Sequence, residues 1–169
     1  MLITFDDGYP GIATQALPVL EQYHLCATLF LIGNTVGRPG YLSAAQLQRL
    51  VDSGLFDIEG HTFAGHDAAP GHPAFSEMTP PEFQRDQELE VALFRRFHIP
   101  APVAIAYPHG RPNLRLVPLL ARDGYRVGFT VVPGWISPHD NPWLLPRWIV
   151  WPRMPLHRFA AILTHHGRA

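Results

Sequence analysis

The sequence predicts an α/β fold in which strands and helices alternate along a single domain, residues 1–169. Short runs of apolar and β-branched residues alternate with longer amphipathic segments, and several of those segments begin or end at a recognisable helix cap. Apolar residues make up 47% of the chain and charged residues only 16%, which suits a buried core and argues against disorder. Repeated β–α units predict a mainly parallel sheet or an open barrel, with the functional site at the carboxyl ends of the strands.

The first strand is predicted at the very start of the chain. Residues 2–5 are apolar or β-branched, and Asp6 and Asp7 follow them directly. Residues 11–23 then place apolar side chains on one helical face. The second strand is predicted over 26–32, an apolar run far too short to cross a membrane.

Cap signals delimit the next two helices. Ser43 begins the first of them, which ends at residues 53–54, and a third strand is predicted over 55–59. The following helix starts with Thr79 at the N-cap, followed by two prolines and a capping-box glutamate, and runs to about residue 97. The side chains predicted to face the core from this helix are Phe83, Leu89, Leu93 and Phe97.

The alternation continues through the C-terminal third of the chain. A fourth strand is predicted over 103–107, a helix over 113–122 and a fifth strand over 127–132. A sixth strand over 147–151 and a final amphipathic helix over 156–163 complete the pattern.

The adjacent carboxylates of Asp6 and Asp7 are the first sign of chemistry. Like charges at this distance repel, and a metal ion resolves the conflict if one carboxylate binds it and the other accepts a proton. Taken alone, the run Asp6-Asp7-Gly8 fits a turn equally well. What decides between the two interpretations is whether metal-ligand side chains follow another strand.

Two histidines satisfy that condition. His61 and His66 lie in the loop that follows the third predicted strand. Together with Asp7 they offer two nitrogens and one oxygen, which leaves a fourth position open for water, as in catalytic zinc sites. The combination favours a metal site over a turn.

These motifs resemble those of the polysaccharide deacetylases of the NodB-homology type, carbohydrate esterase family 4. The branch that deacetylates poly-N-acetylglucosamine is the most similar. The resemblance covers essentially the whole chain and implies an irregular (β/α) barrel, incomplete at its N-terminal edge. The segments that carry it are Thr4-Phe5-Asp6-Asp7-Gly8, His61-Thr62 with His66, Ile105-Ala106-Tyr107-Pro108-His109-Gly110, Gly128-Phe129-Thr130 and Leu145-Pro146-Arg147.

The resemblance also implies roles for residues of the metal site. Asp6 is expected to be the general base, and Asp7, His61 and His66 the ligands of Zn²⁺, with other divalent transition metals left open. A bound metal would lower the pKa of a water molecule, Asp6 would take its proton, and the resulting hydroxide would attack an acetamide carbonyl.

Further residues are expected to contact or shape the substrate site. By resemblance Thr62 would hold the histidine loop, and Tyr107 and Pro108 would shape the groove. The backbone N–H near His109 would help to bind the oxyanion. Trp135 is a candidate for stacking on a sugar ring, with ordinary packing as the alternative.

The chain departs from the family pattern in three places. The loop before His66 is one residue longer than the commonest family spacing, so His72 is the fallback ligand. Many relatives pair the base aspartate with an arginine of the third motif, and Arg147 is the best substitute here. The general-acid histidine of the similar branch would lie upstream of the first strand, which leaves His165 as a weak candidate.

The sequence thus predicts a hydrolase that removes N-acetyl groups from an N-acetylglucosamine-containing polysaccharide or oligosaccharide. The alternatives are an O-acetyl esterase or small-amide hydrolase using the same site, and a metal- and glycan-binding relic without turnover. A formal net charge of −1 with no basic stripe excludes the nucleic-acid-binding class, and no run is long enough for a transmembrane segment. The oligomeric state is left open.

Location is the least determined property. The single Cys26 cannot form an internal disulfide, so the redox compartment stays open. The chain begins at Met1 inside the first predicted strand and carries no secretory signal. The sequence as it stands is therefore expected to be cytoplasmic, although relatives often act at the cell envelope and the true start would then lie upstream.

Overall fold

A five-stranded parallel sheet forms the centre of the fold in the computed structural model, which describes residues 1–69 and 71–164. The strands lie side by side in chain order, so each crossover returns beside the strand it left. The sheet curls into a half barrel, as the sequence predicted. Its strands are β1 (Thr4–Asp7), β2 (Ala27–Leu31), β3 (Phe56–Gly60), β4 (Ala104–Ala106) and β5 (Val127–Phe129).

Within the described residues, five α-helices accompany these strands. The first is preceded by a π-helical turn over Ile12–Ala16. The predicted capping box of Thr79 and Glu82 is confirmed, and the predicted N-cap Ser43 also forms a capping box, with Gln46. The helices are α1 (Leu17–Tyr23), α2 (Ala44–Asp52), α3 (Pro80–Arg96), α4 (Val117–Arg122) and α5 (Leu156–Thr164).

Strand β2, which lies between β1 and β3, is buried on both faces, as is usual for a parallel sheet covered by helices. Leu29 and Leu31 point outward into a cluster shared with α1, α2 and the end of α3. Phe30 points the other way, towards Phe129 on the inside of the curl. Two aromatic rings, those of Phe30 and Phe129, therefore pack together on the inner face of the curled sheet.

Helix α3 buries Phe83 and Phe97 as its apolar pattern predicted, but its buried face is rotated towards polar residues. The prediction that Leu89 faces inward is wrong, because its side chain is 39% exposed. The neighbouring polar residues Asp86, Gln87 and Glu90 are buried instead. Their hydrogen bonds to the histidine loop and to Tyr125 explain the rotation of the helix.

The predicted sixth strand over 147–151 is also wrong for the described residues. Only the preceding segment follows β5: Leu145 donates its N–H to the Gly128 carbonyl, and Thr130 donates to Leu145. Arg147 donates its N–H to the Val132 carbonyl, whereas a regular parallel ladder would direct it to that of Thr130. The segment therefore stays beside the end of β5 but loses its strand register there.

The C-terminal helix α5 forms as predicted, but none of its described side chains is buried. Among the helices within residues 1–69 and 71–164, none has the length and apolarity to cross a membrane. His165, the candidate general acid, lies outside the described residues.

Candidate metal centre

The candidate site lies at the carboxyl edge of the sheet, where β1 and β3 end. Asp7 is the last residue of β1, and His61 follows β3 directly. Both strand ends turn sharply through left-handed backbone, with φ of 72° at Asp7 and 69° at Thr62. This region is unusual for a β-branched residue such as threonine and is found at strained functional sites.

Three side chains converge on one point. His61 Nε2 lies 3.3 Å from Asp7 Oδ1, and His66 Nε2 lies 3.4 Å from the same oxygen. The three donor atoms all fall within 4.8 Å of one another. The structure therefore brings together the two histidines and the aspartate that the sequence singled out.

The other ring nitrogen of each histidine already has a partner. His61 Nδ1 lies 2.6 Å from the Ala106 carbonyl oxygen, and His66 Nδ1 lies 3.1 Å from Asp67 Oδ2. Because a carbonyl oxygen only accepts, His61 Nδ1 must carry the proton, and in the neutral ring the Nε2 lone pair faces Asp7. Lone pairs directed at a carboxylate call for a cation between them, and Nδ1–H bonds of this kind orient metal-binding histidines. The donor set fits a divalent metal ion with an open fourth position.

Asp7 is suited to bear a negative charge. Burial by itself would raise the pKa of its carboxyl group, but the hydrogen bond and charge of His61, with the charge of His66, lower the pKa below its ordinary value. The hydroxyl of Tyr9 contributes in the same direction, and the charge of Asp7 raises the pKa of Tyr9 in turn. Metal binding requires a charged carboxylate and neutral imidazoles, so it would replace any proton on the two Nε2 atoms that face Asp7.

Asp6, the adjacent carboxylate, is turned towards an arginine instead. Arg147 Nη1 and Nη2 each lie 2.8 Å from one oxygen of Asp6, a bidentate ion pair. The same guanidinium donates to the Thr130 carbonyl at 3.1 Å and to Thr4 Oγ1 at 3.2 Å. It also lies over the Phe30 ring, 5.4 Å from the centroid. The two neighbouring carboxylates are thus separated, one facing histidines and the other facing a fixed cation.

A second group of donors adjoins the first. Asp67 lies between two histidines, 3.1 Å from His66 Nδ1 and 3.0 Å from His109 Nε2. Hydrogen bonds from these rings lower the pKa of the Asp67 carboxyl group. The His109 ring therefore lies at the rim of the site, beyond the backbone role that the sequence suggested for this residue.

Three residues predicted to hold the histidine loop or to shape the substrate groove are buried. The Thr62 and Tyr107 hydroxyls have no hydrogen-bond partner among the described residues, and Pro108 is covered as well. Tyr107 packs against Phe75 and beneath Gly128, and burial raises its pKa to about 12. Their roles at the substrate site stay predictions.

Two further candidates lie away from the three-donor cluster. Trp135 is 38% exposed and its ring centre lies 6.0 Å from that of Trp148, in a groove lined by C-terminal segments. His72, the fallback ligand, lines a separate cavity of about 550 Å³ behind the histidine loop. Within the described residues it belongs to neither donor group.

The sequence reasoning missed Asp86, whose carboxylate accepts the backbone N–H groups of Phe63 and Ala64 at 2.8 Å each. A signal was available, because Phe83, Asp86, Glu90 and Phe94 follow one another at spacings of three and four residues, on one helix face. It also missed Asp67 and the Ala106 carbonyl, which no local pattern marks.

Comparison with known proteins agrees with the fold and with these motifs. The sequence matches the polysaccharide deacetylase family over residues 1–128. A Bacillus subtilis protein, YxkH, is 32% identical over 163 residues, which is 96% of this chain and 56% of that protein. The poly-β-1,6-N-acetyl-D-glucosamine N-deacetylase of Staphylococcus epidermidis is 30% identical over 154 residues, 88% of this chain and 53% of its own length. The chain thus spans about half the length of these two relatives.

Solved structures show the same architecture. IcaB from Ammonifex degensii superposes with a TM-score of 0.76 at 28% identity, covering 89% of this chain and 67% of that one. The Streptococcus pyogenes deacetylase PplD superposes with a TM-score of 0.78 at 24% identity, covering 95% and 69%. The latter likeness concerns the fold alone.

Fold and site together define a half barrel of the β/α type that carries a metal-donor cluster at its strand ends. The family match covers residues 1–128, and a relative is 32% identical over 96% of this chain. The chain belongs to the polysaccharide deacetylase family.

Proposed function

We propose that this domain is a metal-dependent de-N-acetylase acting on an N-acetylglucosamine-containing polysaccharide, with Zn²⁺ as its metal. The observation that carries the proposal is that Asp6 and Asp7 face different partners. Asp7 faces two oriented histidines, whereas Arg147 holds Asp6 through two hydrogen bonds of 2.8 Å. The named activity of the Staphylococcus epidermidis relative supports the choice of substrate.

Each group has a part in amide hydrolysis. Asp7, His61 and His66 would hold the metal, which supplies Lewis acidity that makes a water molecule acidic at neutral pH. Asp6 would be the general base that takes up the proton of a water molecule. Arg147 keeps the Asp6 carboxylate in place and out of the ligand set.

A donor for the developing oxyanion is present on the facing rim. The His109 backbone N–H has no acceptor among the described residues, and the left-handed φ of 54° turns this residue out of the preceding strand. A free backbone N–H beside a metal site is well suited to stabilise a tetrahedral intermediate. We assign this N–H the oxyanion-binding role.

The experiment is acetate release from a β-1,6-linked N-acetylglucosamine oligomer by the purified chain supplied with Zn²⁺. Turnover should be abolished by a chelator, restored by added metal, and lost in Asp6→Asn. Asp57→Asn, which changes an exposed carboxylate on β3, is the matched control and should retain full activity. Turnover on O-acetylated substrates alone would contradict the amide assignment, and an active Asp6→Asn would contradict the assigned base.

A further inference from the structure

Helix α3 presents a polar surface to the interior, although apolar side chains were available. Asp86, Gln87 and Glu90 are each no more than 5% exposed. Burying carboxyl groups costs free energy unless their hydrogen bonds are made. The contacts of Asp86 indicate why this surface is kept.

Both oxygens of Asp86 are used on one short loop. Oδ2 accepts the N–H of Phe63 and Oδ1 accepts the N–H of Ala64, each at 2.8 Å. These two residues lie in the middle of the segment that joins His61 to His66. Asp86 contacts neither histidine through these bonds, so its effect on them passes through the loop backbone.

The loop needs such an anchor because its own residues restrain it weakly. Ala64 and Gly65 are small, and glycine loses more conformational freedom on ordering than any other residue. A Cβ at Gly65 would come within 2.4 Å of the end of the Met78 side chain, which would have to move. The other backbone bonds to the loop run from Gly33 to the Thr62 carbonyl, from Asn34 to that of Phe63 and from Phe75 to that of Gly65.

The charges around Asp86 do not form an ion pair within residues 1–69 and 71–164. Burial raises the pKa of Asp86, the two backbone N–H groups lower it, and His72 also lowers it from a distance. Glu90 lies on the same face, where it accepts hydrogen bonds from Tyr125 and Gln87, and the backbone N–H of His61 also lowers its pKa. Asp86 is distinguished by its two hydrogen bonds to residues between the histidines.

We propose that Asp86 is a positioning residue that sets the spacing of the two histidine ligands by clamping the backbone of Phe63 and Ala64. The inference rests on the proposed function, in that His61 and His66 hold the metal. Binding sites require their first contacts to be held within about 0.5 Å, and loss of an outer partner of a metal ligand typically weakens metal binding about 10–100-fold.

The test compares metal affinity with folding stability in three variants. Asp86→Asn keeps one acceptor oxygen of the two, Asp86→Ala keeps neither, and Thr79→Ala breaks the capping box of the same helix without touching the loop. Zn²⁺ dissociation constants come from competition with a chromophoric chelator, and thermal unfolding of the metal-free proteins gives stability. The absorption spectrum of the Co²⁺ form reports coordination geometry.

We expect Asp86→Asn to bind Zn²⁺ about tenfold more weakly and Asp86→Ala more weakly still, with an altered Co²⁺ spectrum in both. Thr79→Ala should unfold at lower temperature and bind Zn²⁺ within twofold of wild type. Unchanged affinity and an unchanged spectrum in Asp86→Asn overturn the inference.

Two additional outcomes remain informative. If Asp86→Ala does not fold, the inference is tested by Asp86→Asn and by hydrogen exchange of the wild-type backbone amides. A clamped loop requires the amides of Phe63 and Ala64 to exchange as slowly as those of β3. Rapid exchange at both amides overturns the inference. If the wild type binds neither Zn²⁺ nor Co²⁺, the proposed metal-dependent function is contradicted. If the wild type binds metal and Asp86→Asn binds it equally well, only the proposed role of Asp86 is contradicted.

Discussion

Replacement of Glu90 by glutamine should change how stability depends on pH. Glu90 is fully buried, and its Oε2 accepts the Tyr125 hydroxyl at 2.6 Å and the Gln87 amide at 3.2 Å. Burial raises its pKa from 4.5 to about 8, and the nearby Asp86 acts in the same direction. The Tyr125 hydroxyl stays neutral, because burial raises its pKa well above 10.

The sign and size of the effect follow from proton linkage. Between pH 4.5 and about 8 the folded protein keeps a proton on Glu90 that the unfolded chain releases. The stabilising effect of that proton is complete below the unfolded pKa and is lost as pH rises through this window. One such proton changes the free energy of unfolding by about 1.4 kcal/mol per pH unit. Glutamine cannot titrate, so the variant lacks this slope.

Urea unfolding of metal-free protein at pH 5, 6, 7 and 8, at constant ionic strength, measures the difference. The advantage of Glu90→Gln over wild type should grow with each step in pH by roughly the amount that linkage gives. Glu88→Gln is the matched control, because Glu88 is exposed on the same helix and its variant should run parallel to wild type. Parallel curves for Glu90→Gln and wild type would refute the reasoning.

Three further predictions concern the site and the sheet. His61→Ala should bring zinc stoichiometry near zero by elemental analysis, whereas His72→Ala should leave it unchanged, and full occupancy of the former would disprove the ligand assignment. Arg147→Lys replaces the bidentate guanidinium by a single ammonium charge, so kcat should fall about tenfold or more with a smaller change in KM. An unaltered kcat in steady-state assays would contradict the role assigned to the Asp6–Arg147 ion pair. Gly128→Ala would place a Cβ 2.2 Å from a buried tyrosine hydroxyl, and should lower the free energy of unfolding in urea by about 1–3 kcal/mol.

Matched controls separate these effects from general damage. Arg126→Lys changes an exposed arginine next to β5 and should leave kcat intact. Gly11→Ala adds a Cβ where no atom lies within 4 Å, so its stability should match that of wild type. A loss of stability in Gly11→Ala equal to that in Gly128→Ala would show that close approach to Tyr107 is not the cause.

Local sequence patterns were sufficient for the order of the elements and for the edge that carries the site. Apolar runs and cap residues act over a few positions, so five strands, the Ser43 N-cap and the Thr79 capping box could be predicted from neighbouring residues alone. The carboxyl ends of parallel strands share one edge, so Asp7 and His61 could be expected to meet although 53 residues separate them. The predicted sixth strand was wrong, because pairing beside β5 loses its regular register at Arg147.

Contacts between distant segments were decided only by the tertiary structure. Arg147 had been a substitute suggested by family resemblance, and its two bonds to Asp6 span 141 positions and depend on how the chain leaves β5. The rotation of α3, which exposes Leu89 and buries Asp86 and Glu90, could not be predicted from the sequence because it also depends on distant contacts. An amphipathic pattern ranks the faces of a helix by hydrophobicity, whereas the structure orients the helix by the free energy of all its contacts, including hydrogen bonds to a loop that sequence alone does not place.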